Sequence, residues 1–167
     1  MQHEKSCGAI VYRKSHGNTE ILLIKHINSG HWSFPKGHME NGETEIETAI
    51  REIREETSVE VMIDPTFRET VSYFPKRDTQ KTVVYFIARA KNYDFVPQEE
   101  EIAEIRWVDI GYASTILTYE NDKNIVNKAK AAIKELDNQV YMARYIRNYL
   151  TNKSLSLIHI SEPTRRS

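Results

Sequence analysis

The sequence predicts an α/β chain of the α+β kind, a β-sheet sandwiched between helices. Two observations carry that reading. Runs rich in β-branched and aliphatic side chains recur between residues 7 and 110, and segments of helical periodicity lie between and after them. At 167 residues with 40% apolar side chains, the chain can close one sizeable core.

The elements follow in order. Residues 7–12 and 21–27 form a strand pair, because Ser15-His16-Gly17-Asn18 between them is a turn signal. Asn28 to Gly30 breaks the pattern, Pro35-Lys36-Gly37 marks an irregular loop, and Asn41-Gly42 marks a tight turn. A helix then starts at Thr44, which has capping-box spacing to Glu47, with Glu43 near the positive helix end. Its apolar stripe is Ile46, Ala49, Ile50 and Ile53. Residues 59–63, 67–74, 82–90 and 105–110 read as strands, the third a near-continuous apolar run suited to a central position. Helices over 112–117 and 122–149 follow, the second with Ile125, Val126, Ala129, Ala132, Ile133 and Leu136 at helical spacing. Residues 1–150 are expected to form a single domain. From Ser154 the periodicity fades, and residues 154–167 resemble a vector-derived extension expected to be disordered.

Composition narrows the function. A net charge of −1 gives no basis for a broad nucleic-acid or membrane surface. The lone Cys7, in an apolar run, excludes an internal disulfide framework, reads as a buried hydrophobe and suits a reducing compartment. No stretch of 18 apolar residues occurs and the N-terminal MQHEKS lacks an apolar signal core, so a cytoplasmic location is expected.

The chemistry concentrates between Gly37 and Val59. On a helix Glu52, Glu55 and Glu56 lie at i, i+3 and i+4 and project from one face. Like charges so close weaken an isolated helix, but a hard divalent cation would hold them together, since Mg²⁺ and Mn²⁺ favour carboxylate oxygen. The same glutamates also suit a solvated face balanced by Arg51 and Arg54.

The order of residues distinguishes these readings. Gly37, Glu43, Arg51, Glu52, Ile53, Glu55, Glu56 and Val59 resemble, in register, the signature of the Nudix hydrolases. One position departs: Ser58 stands where the family has a helix-ending glycine, at some cost in stability. Softer matches extend along residues 4–136, and they are similar to the asymmetrically cleaving diadenosine tetraphosphate hydrolases. These are Cys7-Gly8-Ala9-Ile10, His31-Trp32, Pro35-Lys36-Gly37-His38, Lys81-Thr82-Val83-Val84-Tyr85, Tyr93-Asp94, Glu101 and Arg106-Trp107.

The resemblance implies a Nudix-type helix-sheet-helix sandwich with a mixed β-sheet. It implies hydrolysis of a phosphoanhydride with Mg²⁺ or Mn²⁺, most specifically cleavage of diadenosine tetraphosphate to ATP and AMP. Glu52, Glu55, Glu56 and Glu101, with the Gly37 carbonyl, would be metal ligands. Glu52 would be the general base with Glu56 next, Arg51 would orient the carboxylates, and His38 would stabilise the leaving oxygen or merely cap its loop. Lys36, Lys81 and Tyr85 would meet the phosphates, with Lys81 and Tyr85 on one strand face; Lys81 also suits an edge-strand charge. Tyr73, Phe74 and Tyr119 would clamp the base, His31 would act on the substrate much as His38 does or merely cap its loop, and Trp107 would belong to the core. The partner is then a small nucleotide, with no stable nucleic-acid or membrane partner, and the protein is expected to be a monomer with a dimer left open. Other Nudix chemistries, on nucleoside triphosphates, capped RNA or diphosphoinositol polyphosphates, and a non-catalytic nucleotide-binding module, are the alternatives.

Overall fold

A computed structural model describes residues 1–161, with side chains through residue 156. Seven strands form one sheet among the described residues: β1 (Gln2–Ser15), β2 (Asn18–His26), β3 (Trp32–Ser33), β4 (Lys36–His38), β5 (Val61–Lys76), β6 (Thr79–Ala90) and β7 (Ile102–Asp109). The helices are α1 (Glu45–Thr57), α2 (Ala113–Ile116) and α3 (Glu120–Ser161). The main strand order is β3-β2-β1-β6-β5, with β4 paired to β1 and β7 to β2. Only β1 and β6 run parallel, so the sheet is mixed, as expected.

The β1–β2 hairpin closes through His16-Gly17, both at positive φ (51° and 82°), the combination that matches the twist of two antiparallel strands. Strand alternation then separates two faces. Cys7, Ala9 and Val11 point with Val84, Phe86 and Ala88 to a core shared with Ala49 and Ile53 of α1. Ile46 and Ile50 pack at its margin, so the predicted stripe is the buried one. Cys7 is fully buried, and desolvation pushes its thiol up to about 11, so it serves as packing. Gly8, Ile10, Val83 and Tyr85 face the other way, toward the start of α3, whose Asp122 shares a hydrogen bond with Tyr85.

Helix α1 begins and ends as its sequence dictates. Thr44 accepts from the Glu47 N–H, and the Glu47 side chain accepts in return from the Thr44 N–H. At the other end Ser58 adopts φ 62°, ψ 11°, and its N–H returns to the Arg54 carbonyl at 2.8 Å. A non-glycine residue thus occupies the left-handed position where glycine costs least.

Three expectations are revised. The segments at 59–63 and 67–74 are one strand, β5, whose pairing shifts between Asp64 and Glu69. Pro65 falls in that gap, on an edge strand, where a missing N–H is tolerated. The Pro35-Lys36-Gly37 loop contains the short strand β4, too brief to show a period. Finally, α3 continues through Ser161 where the sequence predicts disorder from Ser154; once nucleated, a helix extends at one hydrogen bond per residue. Residues 162–167 of that predicted tail lie outside the described residues.

The chain divides into two compact units, Met1–Lys130 and Ala131–Ser167. In the first, α3 buries Ile125, Val126 and Ala129. In the second, α3 exposes every side chain from residue 137 to residue 156. Among the described residues no helix is long and apolar enough to cross a membrane.

Candidate active site

The short strand β4 organises the site. Gly37 pairs with Cys7 and so faces α1, whereas Lys36 and His38 pair with Gly8 and Ser6 and face the opposite side of the sheet. A Cβ placed on Gly37 would run into the Glu52 carboxyl. Glycine is required there because a carboxylate of α1 occupies the space of a side chain. Gly8 answers the same demand on the other face, where a Cβ would collide with Lys36 and the Pro35 carbonyl.

Arg51 collects the acidic groups of α1. Its Nε and Nη2 donate to the two Glu43 carboxylate oxygens at 2.6 and 2.8 Å, a bidentate pair. Nη1 donates to Glu52 at 2.8 Å and to Glu55 at 3.2 Å, and Nη2 also donates to the His38 carbonyl at 2.8 Å. The Arg51 hydrogen bonds hold the Glu43 carboxyl down to about 2. Glu43 also accepts from Thr48 and from the Glu40 N–H, so Arg51 and Glu43 together anchor a network that spans β4, its following loop and α1.

Glu56 differs from its neighbours. It is 3% exposed, accepts from the Lys36 backbone N–H, and leaves Oε2 buried without a partner. Burial, with Glu52 beside it, pushes its carboxyl up to about 9. Glu52 is likewise raised, first by burial, with Glu55 and Glu101 adding to the effect against Arg51. Glu101 stands in the turn before β7, where its carbonyl accepts from the Ile27 N–H at 2.9 Å, and its charge is felt at both Glu52 and Glu56. Glu55 is half-exposed and turned to Arg51. Among the described residues no three His, Cys, Asp or Glu side chains form a ready metal cluster. The donor set still fits a hard divalent cation: an orphaned buried carboxylate oxygen, mutually repelling glutamates and a glycine kept bare beside them.

Across β4 lies a cavity of about 280 Å³ lined by Lys36, Tyr73, Tyr85, Tyr119, Asp122 and His31, with smaller neighbours. The Tyr119 hydroxyl bonds to His31 Nδ1, and the two rings meet edge to face with centroids 5.1 Å apart. Tyr73 and Tyr119 are partly open to solvent and offer their rings to the cavity. Phe74, expected beside them, is exposed and does not line it. Tyr85 is 1% exposed, its ring edge-on to Phe34 and its hydroxyl engaged by Asp122; it forms wall where the sequence suggested a phosphate contact. Lys81, on the same face as Val83 and Tyr85, is close enough for its charge to be felt at Lys36. Burial and Lys81 together lower the Lys36 ammonium. The His38 side chain is exposed, while its carbonyl is taken by Arg51. Trp107 packs against the core and donates to the Tyr93 carbonyl at 2.9 Å, as a core residue should. Asp122 was not singled out by sequence: a charged residue in the first turn of a helix ordinarily reads as surface.

Residues 2–129 match the family model described as NUDIX domain. The chain belongs to the Nudix hydrolase family. Among curated relatives, the asymmetrical bis(5'-nucleosyl)-tetraphosphatase of Rattus norvegicus is 33% identical over 130 residues, covering 71% of this chain and 88% of the relative. The Caenorhabditis elegans enzyme of the same name is 33% identical over 131 residues, covering 76% and 94%. Among solved structures, a binary complex of C. elegans Ap4A hydrolase superimposes with a TM-score of 0.73 at 30% identity, covering 79% of this chain and 98% of that one. Divalent-metal dependence is general to the Nudix hydrolases.

Proposed function

We propose that this Nudix hydrolase cleaves diadenosine tetraphosphate asymmetrically, adding one water to give ATP and AMP. The observation that carries this reading is the placement of an acidic corner and an aromatic, lysine-bearing cavity on the two sides of one three-residue strand, β4. The relatives named asymmetrical tetraphosphatase, matched over most of both chains, support the same substrate.

In this reading Glu52, Glu55, Glu56 and Glu101, with the Gly37 carbonyl, would hold Mg²⁺ or Mn²⁺. The bound ion supplies charge neutralisation of the polyphosphate and acidifies water. Glu52 accepts the proton of the attacking water, with Glu56 as its nearest substitute, and Arg51 fixes both the Glu52 and Glu55 orientations. Lys36 and Lys81 attract the phosphates, and His38 flanks the leaving oxygen. Tyr73 and Tyr119, with His31 bonded to the latter, stack the base, a contact worth about 1–3 kcal/mol per base. We place the enzyme in the cytoplasm, acting as a monomer on a small nucleotide.

The test is product analysis by chromatography with Mg²⁺ or Mn²⁺ across diadenosine tetraphosphate, nucleoside triphosphates and diphosphoinositols, run in heavy-oxygen water. Equal amounts of ATP and AMP, labelled in only one product, are expected. Two ADP molecules, no turnover of diadenosine tetraphosphate, or faster turnover of another class would refute the assignment.

A further inference from the structure

Three elements that share no local sequence meet at one wall of the cavity: Lys36 on β4, Tyr85 on β6 and Asp122 in the first turn of α3. Asp122 is 6% exposed, and an aspartate that deep is retained only where partners compensate its desolvation. It has two: the Tyr85 hydroxyl, by a side-chain hydrogen bond, and the Lys36 charge, which is the first electrostatic influence on it. The charges of Glu56 and Asp122 in turn both act on Lys36, opposing the lowering of its ammonium by burial and Lys81. Burial raises the Asp122 carboxyl to about 6 while Lys36 and Tyr85 oppose the rise.

We propose that Asp122 is a positioning residue: from α3 it fixes Tyr85 by hydrogen bond and draws Lys36 to the cavity wall, so that the helix sets where the ammonium meets the substrate's phosphates. This rests on Lys36 being a phosphate-binding cation. A competing account gives Asp122 only a helix-terminus role, since a carboxylate in the first turn favours the helix dipole. The two accounts differ in one respect. Helix stabilisation affects all ligands alike, whereas positioning of Lys36 affects only ligands that carry phosphate.

The experiment is equilibrium binding of ATP and of adenosine by calorimetry, to the full chain in chelator, so that no turnover and no metal enter. Wild type, Asp122→Asn, Lys36→Met and the double variant are compared, with melting curves for each. Asp122→Asn is expected to weaken ATP about five- to tenfold and adenosine by less than about twofold. In the Lys36→Met background the same change is expected to have no further effect on ATP, since Asp122 would act on the phosphates only through Lys36. Equal losses for the two ligands, additive losses with Lys36→Met, or a wild type that binds ATP no better than adenosine would overturn the proposal. If Asp122→Asn fails to fold, Tyr85→Phe, which removes only the hydroxyl that Asp122 engages, is expected to weaken ATP at least about threefold and spare adenosine. The same loss for both ligands, or none for either, then overturns it. Absence of diadenosine tetraphosphate cleavage would instead refute the proposed function and leave this binding result standing.

Discussion

Arg51 holds Glu43 in a two-bond fork, Nε to Oε2 at 2.6 Å and Nη2 to Oε1 at 2.8 Å, and from that fixed point its remaining nitrogen reaches Glu52 and Glu55. Lysine cannot reproduce a planar fork. Arg51→Lys is therefore expected to keep the fold and lower kcat/KM about 10- to 100-fold, the usual cost of losing a group that orients metal-binding side chains. Steady-state kinetics alongside a melting curve checks it; unchanged kcat/KM would show the network to be ornamental.

Glu52→Gln and Glu56→Gln should each fold normally and lose several orders of magnitude in rate, about the scale seen when an essential acid–base or metal-binding group is removed. Near wild-type turnover in both variants would end the assignment of roles.

Gly37→Ala introduces a Cβ where the Glu52 carboxyl lies. Expected are a loss of about 1–3 kcal/mol in stability, the range for overpacking, and a fall in kcat well beyond that of a surface change. Denaturant unfolding and initial rates measure the two separately.

Ser58 stands at φ 62° at the end of α1. Replacing it with glycine relieves that conformation and should raise stability by about 1 kcal/mol, a rise in Tm of roughly 2–4 °C for a chain of this size. Activity should not change. A lower Tm would mean that the serine side chain compensates in a way its geometry does not reveal.

Glu56 gives a pH signature. Its carboxyl rises from the ordinary 4.5 to about 9 on folding. A group raised on folding contributes stability that is complete below the ordinary value and lost as pH climbs through the folded one. Metal-free protein should thus lose stability between about pH 4.5 and 9, at most about 1.4 kcal/mol for each pH unit crossed. Glu56→Gln, always neutral, should melt several degrees above wild type at pH 8.5 in chelator and converge with it near pH 4.5. Excess Mg²⁺ should narrow the gap. Identical melting profiles across that range would contradict a buried carboxyl whose Oε2 has no partner.

Local rules were legible where one residue type answers one local demand. Thr44 and Glu47 announced the capping box, Ile46, Ala49, Ile50 and Ile53 the buried stripe, and the serine in place of glycine a left-handed helix end. Residues whose environment is built by distant segments were not. Asp122 is buried by β4 and β6 neighbours that its own sequence context does not mention. Tyr85 was placed on the correct face, yet its hydroxyl is claimed by α3. Strand β4 was hidden because three residues are too few to display a period, and β5 was split in two because Pro65 interrupts pairing without ending the strand.

Because side chains alternate along β4, Gly37 faces the glutamates while Lys36 lines the cavity on the opposite side, with no spare residue between them. Slipping this strand by one position would hand the lysine to the carboxylates and the bare glycine to the cavity. Length in this loop is therefore under tighter constraint than composition: a one-residue insertion or deletion between Pro35 and Met39 would exchange what faces the glutamates and what faces the cavity, whereas many single substitutions there would merely weaken one side.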